Sequence, residues 1–296
     1  MMNGDFEARA AAGRPFSEAD ARLVLASPDL TSVGHLGELA RRHASGDVIT
    51  FGRVVEVVGT AAPSSVGEAG EVRLVGPVTA IDDAVDRVRR GRAFAGQVTV
   101  TGFSTAGLFD LCGRNLETLE SGARRLREAG LDAVAECPLD AFGRTDEAVA
   151  VVRAIERGGV SIWRLTIDRA APHERLALIE RAGAVHASSA GVRAFAPLPR
   201  HDSADQPATG YDDVRTVAIA RLMCASIPYI QVDWPLYGPK LAQVALMYGA
   251  NDVDGVAAVD TPGLGARRSP IEDIMRQIRA AAGEPVERNG RYERLS

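Results

Sequence analysis

Residues 229–259 read YIQVDWPLYGPKLAQVALMYGANDVDGVAAV, and this stretch decides the fold. Tyr229–Asp233 is a short β-rich run, Lys240–Tyr248 keeps helical spacing, and Val253–Val259 is β-rich again. A strand, a helix and a strand this close together form a βαβ unit, whose strands pair in parallel through a right-handed crossover. The same alternation extends toward the N-terminus. Strands are predicted at Val48–Val58, Glu71–Val75, Gln97–Gly102, Leu131–Ala135, Val160–Ile167 and Val192–Pro197. Helices are predicted at Ile81–Arg90, Leu116–Ala129, Thr145–Arg157, Pro172–Ala182, Tyr211–Ala225 and Ile271–Ala281. Two further helices lead in, Ser17–Leu25 with Ser17 as its N-cap and Ser32–Arg42. A polar loop is expected from Leu198 to Thr209. About eight strands over roughly 250 residues predict a single-domain α/β fold, a TIM-type (β/α) barrel. Its barrel spans 48–296 behind an N-terminal helical extension, 1–47. A doubly wound open sheet is the structural alternative.

The first connection between strands is unusual. Residues 59–70, GTAAPSSVGEAG, are small and polar. They are short for a normal crossover helix, at the limit of the about ten to twelve residues that it takes with its loops, and read as loop. No G-x-G-x-x-G follows a strand and no P-loop is present, so a Rossmann or nucleotide-triphosphatase site is not expected.

Composition narrows the function. The chain has 296 residues, 46% hydrophobic and 25% charged, with net charge −5. No large positive field is offered to phosphates, so neither nucleic acid nor an anionic membrane is an expected partner. Arginine clusters such as Arg87, Arg89, Arg90 and Arg92 alternate with acids in helical patterns and read as solvated faces. Three scattered cysteines, Cys112, Cys137 and Cys224, fit a reducing cytoplasm rather than a disulfide framework. Met1–Pro15 lacks the apolar core of a signal peptide, and no apolar run approaches the roughly 18 residues of a membrane span. A cytoplasmic location is therefore expected.

The segments YDDVRTVAIARLMCASIPYIQVDWPLYGPKLAQVALMYGANDVDGV and AAGEPVERNGRY carry a family resemblance. GPKLAQVALMYGANDVDG matches G-x-K-x-A-Q-x-A-L-x-x-G-A-[ND]-D-x-x-G, and the ending fits P-V-E-R-x-x-x-Y. The chain resembles the menaquinone-pathway (futalosine-pathway) radical S-adenosylmethionine (SAM) enzymes, aminofutalosine synthase and dehypoxanthine futalosine cyclase. The deazaflavin-precursor synthases are more distant relatives. The resemblance implies a barrel whose first strand leads into a cysteine-rich loop that binds a [4Fe–4S] cluster. Here that place holds GTAAPSSVGEAG, without cysteine. The next strand, which in the family presents a glycine-rich edge to the SAM amino group, reads RLVGPVTA. Gly76 remains, but Pro77 removes a backbone N–H. The iron–sulfur site is thus degenerate. No cofactor is expected: no [4Fe–4S] cluster, and a SAM edge degraded with it.

Barrels of this kind place their sites at the C-terminal ends of the strands. Thr101, Phe103, Ser104 and Thr105 either bind a polar ligand there or cap the next turn. Glu136 and Asp140 are two carboxylates suited to acid–base work or to loop solvation. Cys137 between them has no basic neighbour to activate it. Arg164 and Asp168, four apart, are in reach of one another, as an ion pair or as an anion site. His201 and Asp202 follow a strand, with His201 a lone acid–base candidate. No H-x-E or H-x-H spacing points to a metal. Gln231 and Asp233 share one face of their strand, and Trp234 either stacks on a ring or packs under the loop. Gly238 and Pro239 look like a helix start before Lys240. Lys240, Asn251, Asp252 and Asp254 lie in the resembling motif, and Arg288 either binds a carboxylate or anchors the tail. The catalytic candidates are Glu136, Asp168, Asp233 and His201. The ligand-binding candidates are Thr101, Ser104, Arg164, Gln231, Trp234, Lys240, Asn251, Asp252 and Arg288.

Three functions compete. One is a barrel that keeps a pocket for a futalosine-like nucleoside or an enolpyruvyl-benzoate-type acid without radical chemistry, as a binding protein or a non-redox lyase or hydrolase. The second is a non-catalytic partner or regulatory subunit of an active radical SAM paralogue, or a homodimer. The third, an intact radical enzyme with an unusual cluster site, ranks below both because the cysteine triplet is missing.

Overall fold

A computed structural model describes residues 4–59, 61, 63–201, 209–258 and 271–295. Three helices come first, α1 (Gly4–Ala11), α2 (Glu18–Ala26) and α3 (Leu30–Ser45). Then follow β1 (Val48–Val58), β2 (Glu71–Val75), α4 (Ile81–Ala95), β3 (Thr99–Ser104), α5 (Thr105–Leu111), α6 (Leu116–Ala129) and β4 (Ala133–Pro138). Next are α7 (Thr145–Arg157), β5 (Ser161–Ile162), β6 (Arg164–Ile167), α8 (Arg175–Ser188), β7 (Ala194–Pro199) and α9 (Gly210–Met223). The chain ends with β8 (Tyr229–Asp233), α10 (Trp234–Met247), β9 (Asp252–Ala257), α11 (Ile271–Ala280) and β10 (Glu284–Arg288).

The wall runs β1-β2-β3-β4-β6-β7-β8-β9, all parallel, and closes by pairing β9 with β1. Both β5 and β6 pair with β4, so they are one wall strand interrupted at Trp163. Eight wall positions make a closed TIM-type barrel, as the alternation predicts. Outward residues such as Val100, Val134, Ile162, Ile230 and Val253 are fully buried under the helices. That face holds most of the apolar core. Helices α2 and α3 pack against α9, and α1 packs against α3, so the lead-in covers one flank of the barrel.

Local chemistry explains most element ends. Ser17 caps α2 with Asp20 in a reciprocal capping box, and Thr209 and Asp212 do the same for α9. Asn115 caps α6, whose end at Gly130 is left-handed. Several predicted spans differ. Helix α10 starts at Trp234 rather than Lys240, because Asp233 caps it. It breaks at Gly238 (φ 71°), so the predicted helix start there is the start of its second half. The predicted strand Val160–Ile167 is split, and Val259 and most of the loop 198–209 lie outside the described residues. α1, α5 and β10 are additions to the predicted set.

β10 solves a problem posed by the short β2. Strand β1 is 11 residues long. Its upper half, Val54–Val58, pairs with β2, and its lower half, Val48–Gly52, pairs with β10. Thr50 and Phe51 also pair with β9 on their other edge, so β10 sits on the β2 edge, below β2. The tail then folds under the barrel floor. Gly290 N donates to Gly70 O (2.9 Å) and Leu295 N to Glu287 O (2.8 Å). Tyr292 enters the floor, where its hydroxyl accepts from Gln231 Nε2 (3.1 Å). Its ring lies 4.1 Å from the Arg288 guanidinium carbon. Arg288 is 1% exposed and forms a two-bond pair with Asp252 (2.6 and 2.8 Å).

Arg288→Ala leaves Asp252 buried without its counter-charge and is expected to cost about 3–5 kcal/mol. Tyr292→Phe removes one neutral hydrogen bond and is expected to cost about 1 kcal/mol. Equilibrium denaturant unfolding of the two variants checks the ratio.

Candidate functional site

Inside the barrel, inward side chains form a charged lattice rather than apolar layers. Asp254 is its hub. Arg73 donates to Asp254 (2.9 and 3.1 Å) and to Glu71 (2.8 and 3.0 Å). Arg164 also donates to Asp254, and Arg288 reaches it at 3.3 Å. Thr101 donates to Glu71 (2.6 Å) and Gln231 to Asp252 (2.6 Å). Three arginines therefore face three carboxylates, all buried. Burial would push Asp254 up, but Arg73, Arg164 and Arg288 outweigh it and hold the carboxyl well below the usual range. Burial likewise opposes Glu71, and Arg73 overcomes it, holding that carboxyl low.

Above this lattice a cavity of about 550 Å³ opens at the C-terminal ends of the strands. Its polar lining is Glu56 from β1, Arg73 from β2, Ser104 from β3, Glu136 from β4, Arg164 from β6, Arg200 after β7 and Asp233 from β8. Val75, Phe103, Pro235 and Leu236 give an apolar side. Arg200 pairs with Glu136 (2.6 Å) and stands 3.7 Å from Asp233. Burial, then the nearby charge of Asp254, raise the Asp233 carboxyl above its ordinary value. Phe103 holds φ 63°, a left-handed backbone that a bulky side chain rarely adopts, at the cavity edge. Gly255 (φ 75°) is required beside it on the rim. A Cβ there would meet Pro235 at 2.7 Å.

The expected site residues fall into three places. Ser104, Glu136, Arg164 and Asp233 line the mouth; the Ser104 hydroxyl also caps α5 (3.0 Å from Gly107 N). Thr101, Gln231, Asp252 and Arg288 lie deeper, in the lattice. The remainder are elsewhere. Lys240 is exposed on the outer face, in a groove with Leu30, Val214, Leu241, Val244 and Tyr248. The break at Gly238 turns it away from the mouth. Asn251 is buried at the floor, accepting from Ile230 N (2.9 Å) and from Arg221, and donating to Pro228 O (3.0 Å). Trp234 is 1% exposed and packs in the core. Arg164 does not pair with Asp168. Asp168 instead meets His201 Nδ1 (2.9 Å) on the exposed rim, outside the cavity lining. Asp140 accepts from the backbone N–H groups of residues 168 and 169 (2.8 and 2.6 Å), a turn-stabilising role. Asp202 lies outside the described residues.

Sequence reasoning missed Glu71, Arg73, Glu56, Arg200 and Tyr292. For Glu71 and Arg73 the signal was available. In EVRLV the two charges share one face of a strand whose other face is Val72 and Leu74.

The cysteines do not suit a cluster. Cys137 is buried in β4, Cys224 caps the end of α9 and Cys112 follows α5. Burial pushes the Cys137 and Cys224 thiols up to about 12. Three thiolates therefore do not converge, and the β1–β2 connection has none to offer. Among the described residues no three His, Cys, Asp or Glu side chains group as metal ligands. At the end of β2, the carbonyls of Val75, Gly76 (3.1 Å) and Pro77 (2.7 Å) all accept from Arg87 of α4. That guanidinium occupies acceptors a ligand ammonium would need.

Asp254→Asn removes the charge on which three guanidinium groups converge. Because that carboxyl is held below its unfolded value, its contribution is present at neutral pH and lost as pH falls through the folded value. The variant is expected to lose at least about 3 kcal/mol at pH 7, and its deficit relative to wild type is expected to shrink at strongly acidic pH. Denaturant titrations at several pH values read this directly.

Residues 196–296 match the family described as the CofH/MqnC C-terminal region. The chain is 32% identical over 145 residues to aminodeoxyfutalosine synthase of Streptomyces coelicolor, covering 42% of this chain and 38% of that protein. It is 30% identical over 205 residues to aminodeoxyfutalosine synthase of Thermus thermophilus, covering 58% of this chain and 54% of that one. A third relative is the 5-amino-6-(D-ribitylamino)uracil–L-tyrosine 4-hydroxyphenyl transferase of Methanothermobacter thermautotrophicus, 31% identical over 51% of this chain and 46% of that one. The match thus spans about half or less of these relatives' length. Among solved structures, methylornithine synthase superposes with a TM-score of 0.69 at 13% identity, over 95% of this chain and 97% of that one. The [FeFe]-hydrogenase maturase HydG of Carboxydothermus hydrogenoformans gives 0.66 at 10%, over 98% and 80%. These two show the shared barrel fold. Residues 196–296 thus match the CofH/MqnC C-terminal region, and about half of the chain is similar to enzymes named aminodeoxyfutalosine synthase.

Proposed function

We propose that the barrel mouth binds a futalosine-like nucleoside and that no SAM radical chemistry takes place there. The charge balance of the lining is the observation that carries this. Arg73 and Arg164 make their close contacts to Asp254, with Arg164 3.9 Å from Glu136, so that Arg200 is the arginine closest to Glu136 and Asp233 at the mouth. Such a rim favours a ligand rich in O–H and N–H donors, as a ribose and an amino-substituted ring supply, over a doubly anionic enolpyruvyl-benzoate-type acid. The cavity volume is in the range of small-molecule sites, and Phe103, Pro235 and Leu236 offer an apolar wall for a ring. The relatives named aminodeoxyfutalosine synthase support a ligand of this class.

The absent cysteine triplet and the Arg87-filled carbonyl edge support the second half of the proposal. Chemistry at this mouth is then non-redox, of the lyase or hydrolase kind, or the protein binds without turnover. Arg200 and Arg164 position the ligand from below, while Glu56, Glu136 and Asp233 accept its donors.

Thermal unfolding with aminodeoxyfutalosine, adenosine, 3-enolpyruvylbenzoate and SAM is the test. At one hundred times its dissociation constant a true ligand adds roughly 2.7 kcal/mol. Stabilisation by a nucleoside and none by SAM is expected. A response to the acid alone overturns the donor-rich reading, and a flat panel overturns ligand binding in favour of a non-catalytic partner of a radical SAM paralogue. Anaerobic reconstitution with iron and sulfide is expected to leave the chain without cluster absorbance; four irons per chain would refute the second half.

A further inference from the structure

The three carboxylates at the mouth are not equivalent. Glu136 forms a 2.6 Å ion pair with Arg200. Glu56 is also engaged by a neighbouring group. Asp233 stands apart. One oxygen, Oδ1, accepts from Leu236 N (3.2 Å) as the N-cap of α10. The other, Oδ2, is 3.7 Å from Arg200, beyond hydrogen-bond reach, although the side chain is only 14% exposed. The residue beside it on the neighbouring strand is Gly255, where a Cβ would come within 3.6 Å of Asp233 Oδ1. The space that side chain would need is taken by Pro235, which an added Cβ would meet at 2.7 Å. The mouth therefore holds one mostly buried carboxyl in the lining of a ligand-sized cavity, and among the described residues its Oδ2 accepts no hydrogen bond.

We propose that Asp233 is the proton-exchanging contact of this mouth, releasing its proton to solvent when a hydroxyl- or amine-bearing ligand donates a hydrogen bond to Oδ2. The inference rests on the nucleoside reading of the site. The balance is simple. The O–H bond of the Asp233 carboxyl breaks, the proton passes to buffer, and the ligand's own O–H or N–H bond stays intact while it donates to the carboxylate. No oxidant or reductant is needed.

The charged groups facing Asp233 set the sign. Asp254 from β9 repels its charged form; Arg200 after β7 and Arg164 from β6 favour it; Glu136 from β4 lies across Arg200. Burial and Asp254 prevail, so the carboxyl keeps its proton above the ordinary carboxylate range near about 4. Below that raised value a donor ligand must first displace the proton. Affinity therefore rises with pH up to the raised value, by at most about tenfold per pH unit for one proton, and levels off once Asp233 is ionised.

Isothermal titration with aminodeoxyfutalosine, in buffers of different ionisation enthalpy at mildly acidic pH, counts the protons released. Up to one proton per ligand is expected from the wild type. Asp233→Asn and Asp233→Ser both retain a helix-capping side chain, and both are expected to bind with no proton release and a flat pH dependence. Glu136→Gln is expected to weaken binding and keep the release. Nucleoside binding without proton release by the wild type overturns this inference and leaves the binding reading standing. Release that persists in both Asp233 variants overturns the assignment to Asp233. No nucleoside binding at any pH overturns the underlying reading instead.

Discussion

Asp254 is the constraint on which the barrel depends. A single carboxylate at the centre of the lumen takes guanidinium groups from β2, β6 and β10, three strands far apart in sequence. Ionised groups in a dry interior are costly unless paired and hydrogen-bonded, so each of these arginines is tied to the position of that one oxygen pair. The lattice also fixes register. A one-residue slip of β9 would turn Asp252 and Asp254 outward into the apolar layer and bring Val253 into the charged one. An apolar lumen would tolerate such a slip more readily than this one does.

The alternation of strand and helix made the barrel legible. Val48–Val58, Glu71–Val75, Leu116–Ala129, Thr145–Arg157 and Tyr229–Asp233 stand in the structure at their predicted bounds. Their apolar periodicity and caps are local properties, and local properties can be read one window at a time. β10 could not be read that way. EPVER carries a proline and three charges, and its status as a strand comes from Val48–Gly52, a partner at the other end of the chain. α5 is a short helix that follows β3 directly, and its capping Ser104 was legible only as a polar residue at a strand end. The site was half legible for a similar reason. Inward-facing polar residues such as Gln231, Asp252 and Arg288 could be picked out, but whether they face a ligand or one another depends on depth in the barrel, which alternation does not encode. Lys240 sits on the outside because a glycine with positive φ breaks α10 just before it.

The mouth and the lattice divide the labour of the barrel. Below, every charge has its opposite, and the groups are locked. Above, three carboxylates meet three arginines, but Arg73 and Arg164 make their close contacts to Asp254 below, and the lining has space. The edge at the end of β2 belongs to the locked part, because Arg87 of α4 reaches over and takes its carbonyls. The end of β2 thus borders the cavity with its carbonyls taken by Arg87, while Glu136, Arg200 and Asp233 line it from β4, from after β7 and from β8.

The pairing of β10 with the foot of β1 has a consequence for how the chain matures. Val48 finds Glu284 only after the intervening chain has been made. Until then the lower edge of β1 is an open strand edge, and Asp252 lacks Arg288. Contacts so distant in sequence are slow to form. During synthesis the barrel would pass through an unclosed state with a bare edge and uncompensated acid at its floor, the kind of intermediate that recruits chaperones. The strand that completes the foot of β1 thus comes from the far end of the sequence, and none of its residues lines the cavity.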